Sequence, residues 1–212
     1  MPTFPIAPLV TSIGNDLVDL KDYDTETNPR FKERILTEYE LHELRRDSTP
    51  VWLYWAAKET GYKVIKKTIK DLKFIPKEFE LDKNNKTIKY KDMVVACDWL
   101  ITEQYVYLYG SSDNVKLGQI HNWISEIKDY EDKKEQSKLV RLLAKANISK
   151  LLKISEDSIS FKNEPFIDET TVPKKSNYYP RLLIDGITSS HQISFTHHGR
   201  YIACAFWECG NQ

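Results

Sequence analysis

The stretch Gly14-Asn15-Asp16-Leu17-Val18-Asp19-Leu20 decides the fold of the first half of the chain, together with Trp55-Ala56-Ala57-Lys58-Glu59. Leu9 to Val18 has the pattern of a buried strand, which places Asp16 at a strand end, where functional side chains often lie. The second stretch falls in a helix predicted from Pro50 to about Ile69. The sequence thus predicts one carboxylate at a strand end and another on a helix.

Asp16 and Glu59 predict a site for a divalent cation. Mg²⁺ normally takes one or two protein carboxylates and completes its shell with water and substrate phosphate oxygens. The alternative is that Asp16 caps a turn while Glu59 pairs with Lys63 four residues later, a contact worth only ~0.2 to 0.5 kcal/mol. Gly61 indicates a tight contact of this helix, because a helical glycine costs about 1 kcal/mol relative to alanine and normally reflects close backbone approach.

A second group of polar residues, Thr196-His197-His198-Gly199-Arg200, joins two predicted strands near the end of the chain. Its hydroxyl, imidazole and guanidinium groups resemble an anion-binding cradle. Adjacent residues on an extended chain point to opposite faces, so the two histidines favour phosphate over zinc. A polar hairpin turn is the alternative. Lys58 and Lys63 are further candidates to hold phosphates, and each is alternatively a solvated surface lysine.

The composition predicts a folded cytoplasmic protein. Of 212 residues, 41% are apolar, and lysine plus arginine equals aspartate plus glutamate at 31 each. This balance provides no overall field for nucleic acid or an anionic membrane, so we expect neither partner. The three cysteines lack metal-ligand spacing and fit a reducing compartment. The sequence shows neither a secretory signal pattern nor an apolar stretch of about 20 residues.

Hydrophobic periodicity predicts an α+β fold with two halves, residues 1–115 and 116–212. In the first half we expect one helix over about 28–46, the helix from Pro50 capped by Thr49, and an antiparallel meander over 79–109 with a turn at Asn84-Asn85. Residues 111–136 are expected to connect the halves and to contain a short helix. In the second half we expect a helix over 137–152 and strands near 159–161, 182–184, 193–195 and 201–206.

In this combination the motifs resemble the 4'-phosphopantetheinyl transferase superfamily. The family pattern is a G-x-D strand end and an aromatic-x-x-Lys-Glu helix with a lysine four residues after the glutamate, and the matching residues are Gly14, Asp16, Trp55, Lys58, Glu59 and Lys63. Residues 34–41 are similar to the linking helix of the small holo-acyl-carrier-protein synthases. Residues 194–201 are similar to the S-x-S-H segment of the family. The resemblance therefore covers both halves of the chain.

The resemblance implies specific roles for these residues. Asp16 and Glu59 would bind Mg²⁺ with the pyrophosphate of coenzyme A, and Glu59 would help to deprotonate a serine of an apo acyl or peptidyl carrier protein. Lys63 would stabilise the leaving 3',5'-ADP. The remaining implied contacts are with coenzyme A: Lys58 near its phosphates, Thr196 and His197 at the diphosphate or the pantetheine arm, and Lys138 or Arg141 at the 3'-phosphate.

The order of the motifs implies a fused chain. Residues 138–154, 159–165 and the histidine segment resemble the N-terminal half of the larger transferases that serve peptide and polyketide synthases, but here that half comes second. We therefore expect a pseudo-twofold monomer with its site between permuted halves. A trimer, as in the small synthases, is the alternative.

Two departures from the family pattern keep other functions open. Val18 stands where the larger type has a second acid, and Glu164 stands where the family has a lysine. A non-catalytic member that binds carrier protein or coenzyme A is therefore one alternative. A metal-dependent phosphodiesterase that uses Asp16, Glu59 and His197 is the other, although the balanced charge argues against a nucleic acid substrate.

Overall fold

The computed structural model describes residues 11–21, 29–69, 71–112, 117–128, 132–165 and 178–210. The predicted start of the first strand, at Leu9, lies outside this part, as do the side chains of Glu164 and Pro165. The predicted boundary between the halves, at residues 115 and 116, also lies outside it and stays a prediction.

Helices and antiparallel strands alternate along the first half. Its elements are β1 (Ile13–Asp19), α1 (Pro29–Ile35), α2 (Glu38–Arg46), α3 (Val51–Ile65), β2 (Glu80–Asp82), β3 (Thr87–Tyr90), β4 (Met93–Ile101) and β5 (Tyr105–Ser111). The strands form one sheet in the order β1-β5-β4-β3-β2, with every neighbouring pair antiparallel. The predicted meander is therefore confirmed, and β1 is added at its edge.

In its described residues, the second half contains α4 (Lys133–Leu152) and six strands. These are β6 (Ile120–Glu126), β7 (Ile159–Pro165), β8 (Tyr178–Ile184), β9 (Ile187–Thr188), β10 (Gln192–His198) and β11 (Tyr201–Trp207). They form two antiparallel sheets, in the orders β10-β11-β6 and β7-β8-β9. The α+β class with antiparallel sheets and helices is thus confirmed.

The two halves repeat one strand arrangement. In each half the first strand pairs antiparallel with the last, which pairs in turn with the last but one, giving β1-β5-β4 and β6-β11-β10. Asp19 lies opposite Tyr105 in the first half, and Glu126 lies opposite Tyr201 in the second. The next hydrogen bonds also correspond, from Leu20 N to Gln104 O and from Ile127 N to Arg200 O. This correspondence is the basis of the pseudo-twofold arrangement.

Close packing fixes α3 against the first sheet. A Cβ atom at Gly61 would lie 2.8 Å from Ile88 Cγ2, and one at Gly14 would lie 2.7 Å from the carbonyl oxygen of Thr60. The tight contact predicted from Gly61 is therefore present. Because β1 and α3 approach so closely, Asp16 and Glu59 are held on a rigid pair of elements.

Three boundary predictions were wrong. The helix expected over 28–46 is two helices, because Thr37 and Glu40 form a capping box that starts α2. Thr49 does not cap α3, which begins after Pro50 with no side-chain cap and ends at Ile65, before a turn at residues 66–68. The segment expected to connect the halves contains strand β6, which pairs with β11, and residues 117–119 form a single 3₁₀ turn.

Each half has its own hydrophobic core, and a third layer joins them. The first core packs α3 on its sheet and the second packs α4 against β10 and β11. Between the halves, Leu17 and Tyr107 pack against Tyr201 and Ala203. None of the helices in the described ranges is long and apolar enough to cross a membrane.

Candidate active site

The side chain of Asp16 contacts residues of both halves. Its carboxylate oxygen Oδ1 lies 2.7 Å from Lys63 Nζ on α3 and accepts a hydrogen bond of 2.9 Å from the Thr196 hydroxyl on β10. Lys63 also donates to the backbone oxygen of Asn15 at 2.9 Å. The structure therefore brings together Asp16, Lys63 and Thr196, three residues that the sequence predicted for one site.

Glu59 lies on the same face of α3 as Lys63, next to Asp16. Burial raises the pKa of Glu59 to about 7, and the negative charge of Asp16 acts in the same direction. The positive charges of Lys63 and Lys66 oppose this rise. The two carboxylates are therefore close enough for their charges to repel, and one added positive charge would stabilise both.

His197 belongs to the same group from the side of the second half. Burial lowers its pKa, and the positive charges of Lys63, Lys133 and Arg141 lower it further. A neutral imidazole among cations accepts a hydrogen bond at one nitrogen and donates one at the other. The surroundings of His197 are therefore rich in positive charge, which suits an anionic ligand.

Strands β1 and β10, each at the edge of its sheet, are joined by side chains. Asn15 N donates to the Ser194 hydroxyl at 3.2 Å, and Asp19 N donates to His198 Nδ1 at 3.1 Å. Lys67 spans the two strands, since its Nζ donates to the backbone oxygens of Ile13 and Ile193. We call this line of contacts the β1–β10 seam, and the candidate site lies along it.

An ion pair between Asp19 and Arg200 lies at one end of the seam. Asp19, only 1% exposed, accepts hydrogen bonds of 2.8 Å from both Nε and Nη2 of Arg200. Burial raises the pKa of Asp19, but the bonds from Arg200 outweigh burial and hold it below its usual range. Gly199 is required here, because its φ is +51° and a Cβ atom would lie 2.6 Å from Asp19 Oδ2. His198 and Arg200 are thus engaged with Asp19.

Comparison with known proteins identifies the family of this chain. A family model described as the 4'-phosphopantetheinyl transferase superfamily matches residues 12–117, half of the chain. The chain belongs to this superfamily. The match includes Asp16, Glu59 and Lys63, whereas Thr196 and His197 lie outside it. A search of curated proteins found no match.

Members of the superfamily typically use a divalent metal, and the residues present fit one. Asp16 and Glu59 would offer two hard carboxylate ligands, and a cation would offset the burial and the repulsion from Asp16 that raise the pKa of Glu59. Among the described residues no group of three or more histidine, cysteine, aspartate or glutamate side chains is arranged to hold a metal. A two-carboxylate site completed by water and phosphate therefore suits Mg²⁺ better than zinc.

The structure does not bring Lys58 to the transferase site. Lys58 is completely buried, with its Nζ 2.8 and 2.6 Å from the two carboxylate oxygens of Glu40, and it also donates to the backbone oxygen of Phe79. Neighbouring helical residues differ by about 100° in direction, so Lys58 faces the core while Glu59 faces the site. With its ammonium group bonded to Glu40 and Phe79 in the core, Lys58 is not placed to contact phosphates as expected.

Of the two α4 candidates, Arg141 interacts electrostatically with His197, whereas Lys138 pairs with a neighbour on its own helix. Lys138 is exposed and pairs with Glu135 at 2.8 Å. The Arg141 guanidinium bonds to the backbone oxygen and the hydroxyl of Ser137 and lies 5.4 Å from the Phe195 ring centre. Arg141 is therefore the α4 residue suited to contact a ligand near His197.

Three further cations near the candidate site were not predicted from the sequence. Lys66 interacts with Glu59 and Lys63, and Lys133 lies near His197. Lys67 bridges the seam. Lys66 had a detectable signal, since it follows Glu59 by seven residues and therefore shares its helical face. The other two had none, because their positions depend on how the halves pack.

Proposed function

We propose that this protein transfers the 4'-phosphopantetheine group of coenzyme A to a serine hydroxyl of an apo acyl or peptidyl carrier protein, with release of 3',5'-ADP. The observation that supports this most strongly is the shared carboxylate of Asp16, bonded to Lys63 of the family-matched half and to Thr196 of the other half. A ligand bound there would contact both halves at once.

The proposed reaction needs a base and a group that stabilises the departing nucleotide. Glu59 accepts the serine proton, directly or through water, and the serine oxygen then forms a bond to the β-phosphorus of coenzyme A. The bond from that phosphorus to the bridging oxygen breaks, and 3',5'-ADP leaves with the electron pair. Lys63 stabilises the negative charge that develops on this leaving group. Mg²⁺ bound by Asp16 and Glu59 would offset charge on the phosphoryl group and fix the line of attack.

The second half supplies the remaining contacts in this proposal. Thr196 and His197 contact the diphosphate or the pantetheine arm, and Arg141 adds a positive charge beside them. Neutral His197 donates a hydrogen bond without the cost of desolvating a further charge. The protein would act as a cytoplasmic monomer with its single site between the halves, in the manner of a holo-acyl-carrier-protein synthase.

A carrier-priming assay tests this function. The purified chain is incubated with an apo carrier protein, coenzyme A and Mg²⁺, and the intact mass of the carrier is measured together with free 3',5'-ADP. We expect the carrier to gain one phosphopantetheine group for each 3',5'-ADP released. No gain in mass with any of several acyl and peptidyl carriers would instead support a binding protein, and nucleotide release without carrier would support a phosphodiesterase.

A further inference from the structure

The ammonium group of Lys67 connects three elements of the molecule. Lys67 lies in the turn that follows α3, and its Nζ donates a hydrogen bond of 2.8 Å to the backbone oxygen of Ile13 on β1 and one of 3.0 Å to that of Ile193 on β10. We call this pair of bonds the Lys67 bridge. It links the helix that carries Glu59 and Lys63 directly to a strand of each half.

The Lys67 bridge lies at one end of the β1–β10 seam. Among the described residues no strand ladder joins β1 to β10, so hydrogen bonds from side chains set the alignment of the two strands. These contacts advance in the same direction along both strands, from the bonds of Lys67 at the start to that between Asp19 and His198 at the end. The bond between Asp16 and Thr196 lies between them. The seam is thus held at both ends, with the candidate site in the middle.

The surroundings of Lys67 are unfavourable for a cation. Burial lowers the pKa of Lys67 to about 7, and the positive charges of Lys66 and Arg181 lower it further. Lys67 forms no ion pair within the described ranges, so the two backbone oxygens alone offset the loss of water around its ammonium group. Both the ammonium and the neutral amine have the two N–H donors that these oxygens need. The bridge therefore persists in either protonation state.

The proposed reaction depends on how accurately the two halves are aligned. Glu59 and Lys63 belong to the first half, whereas Thr196 and His197 belong to the second, and a displacement of about 1 Å can slow an enzyme reaction roughly a hundredfold. Because Lys67 extends from the same segment as Glu59 and bonds to the strand of Thr196, its removal should change the spacing between these groups.

We propose that Lys67 is a positioning residue, which fixes β10 relative to α3 and β1 and acts on the reaction through the contact between Asp16 and Thr196. In this role it contacts neither coenzyme A nor the cation. The inference rests on the proposed function, because the transfer step uses groups from both halves.

Amide hydrogen exchange of the full chain tests the bridge without reference to activity. Lys67→Met keeps the length of the side chain but removes its donors, and we expect faster exchange in the peptides that cover β10, with the overall fold retained. Lys73→Met removes an exposed lysine and is the matched control, which should leave this exchange unchanged. Wild-type exchange of β10 in Lys67→Met would overturn the assignment.

Single-turnover carrier priming tests the effect on the reaction. With saturating coenzyme A and Mg²⁺, at a temperature where all variants are folded, we expect Lys67→Met to transfer the group roughly tenfold or more slowly. Its affinity for coenzyme A, measured by calorimetry, should change much less than the rate. Thr196→Val removes the hydroxyl that bonds to Asp16, so adding Lys67→Met to Thr196→Val should slow transfer far less than adding it to wild type.

Three results of this assay would contradict the positioning role. They are a wild-type rate for Lys67→Met, equal slowing with and without Thr196→Val, and a loss of coenzyme A affinity as large as the loss of rate, which would indicate direct contact with the substrate. A wild-type chain that neither binds coenzyme A nor primes a carrier would refute the proposed function itself, whereas hydrogen exchange would still decide whether Lys67 holds β10.

Discussion

Lys58 and Glu59 are neighbours in the sequence, yet their side chains have opposite surroundings. Lys58 is completely buried against Glu40, which also accepts hydrogen bonds from the backbone nitrogens of Thr37 and Leu81. Glu59 interacts electrostatically with Asp16 and Lys63. The motif thus combines one residue that holds α3 in place with one that performs chemistry in the proposed reaction.

Removing the buried lysine should destabilise the fold. Lys58→Met leaves the Glu40 carboxylate buried without its cation, and we expect a loss of about 3 to 5 kcal/mol in the free energy of unfolding. Denaturant titration measures this, and the double variant Lys58→Met/Glu40→Gln should recover part of the loss. A stability within about 1 kcal/mol of wild type, with weakened coenzyme A binding, would instead favour a phosphate contact.

The raised pKa of Glu59 predicts a pH-dependent stability without metal. Its pKa rises from 4.5 to about 7 on folding, so its contribution is fully present below pH 4.5 and is lost as the pH rises through 7. Relative to Glu59→Gln, wild type should therefore lose on the order of 2 to 3 kcal/mol between pH 4.5 and pH 8 in a chelator.

Adding Mg²⁺ should reverse this loss, and more strongly at pH 8 than at pH 5, because the cation binds the ionised carboxylate. Thermal unfolding of both proteins with Mg²⁺ or chelator measures the effect. An equal response of wild type and Glu59→Gln to Mg²⁺ would contradict the metal assignment.

Whether a residue of the site can be predicted depends on how far apart in the sequence the contacting residues lie. Asp16, Glu59 and Lys63 follow from a local pattern, since strand-end and helix-face positions are visible in the sequence. The partner of Lys58 was not visible, because Glu40 lies on another helix and approaches only when α2 packs against α3. The core-facing direction of Lys58 was open to prediction from its helical phase.

At the level of elements, the β1–β10 seam both positions the site and joins the sheets. Unpaired strand edges normally invite further pairing, and here their free backbone groups are partly satisfied by Ser194, His198 and Lys67. Asp16 and Thr196 meet along this seam. Any change that shifts β10 against β1 should therefore disturb the site.

Gly199→Ala should produce such a shift. The new methyl group would displace the Asp19 carboxylate and break its bonds with Arg200, in addition to straining the backbone at φ +51°. Gly186→Ala is a matched control, since Gly186 has φ +76° and a Cβ atom there would have no neighbour within 4 Å.

We expect a loss of roughly 1 to 2 kcal/mol for the control and about 1 to 3 kcal/mol more for Gly199→Ala. Chemical denaturation measures both values. Equal losses for the two variants would show that the Asp19 contact contributes nothing.

Elements whose boundaries depend on tertiary pairing were the hardest to predict. Strand β6 was missed because its apolar residues Ile120, Trp123 and Ile124 have helical spacing and its pairing partner, β11, lies some 80 residues later. The division between α1 and α2 was in principle visible, because Thr37 and Glu40 have the capping-box spacing.

At the scale of the whole molecule, the repeated strand order creates a second position that is equivalent to the candidate site. The register places Trp123 on β6 where β1 has Asp16, and Leu100 on β4 where β10 has Thr196. The Asp16 carboxylate and the Thr196 hydroxyl are thus replaced by apolar side chains. In the described residues, the fold has two related halves, and one of the two equivalent positions has both the carboxylate and the hydroxyl that the proposed reaction uses.

A single site built from both halves predicts a monomer that binds one coenzyme A. Light scattering after gel filtration should give the mass of one chain, and calorimetry should give one coenzyme A per chain. A stable trimer whose sites need residues from two subunits would contradict this arrangement, as would two equivalent coenzyme A molecules per chain.

The most direct test of the account is single-turnover carrier priming by wild type and Glu59→Gln. The substitution keeps the size of the side chain while removing its charge and basicity. We predict that wild type with Mg²⁺ adds one phosphopantetheine group to the carrier, and that Glu59→Gln, still folded, does so at least roughly a hundredfold more slowly. Priming by Glu59→Gln at the wild-type rate would contradict the assignment of this carboxylate and, with it, the proposed site.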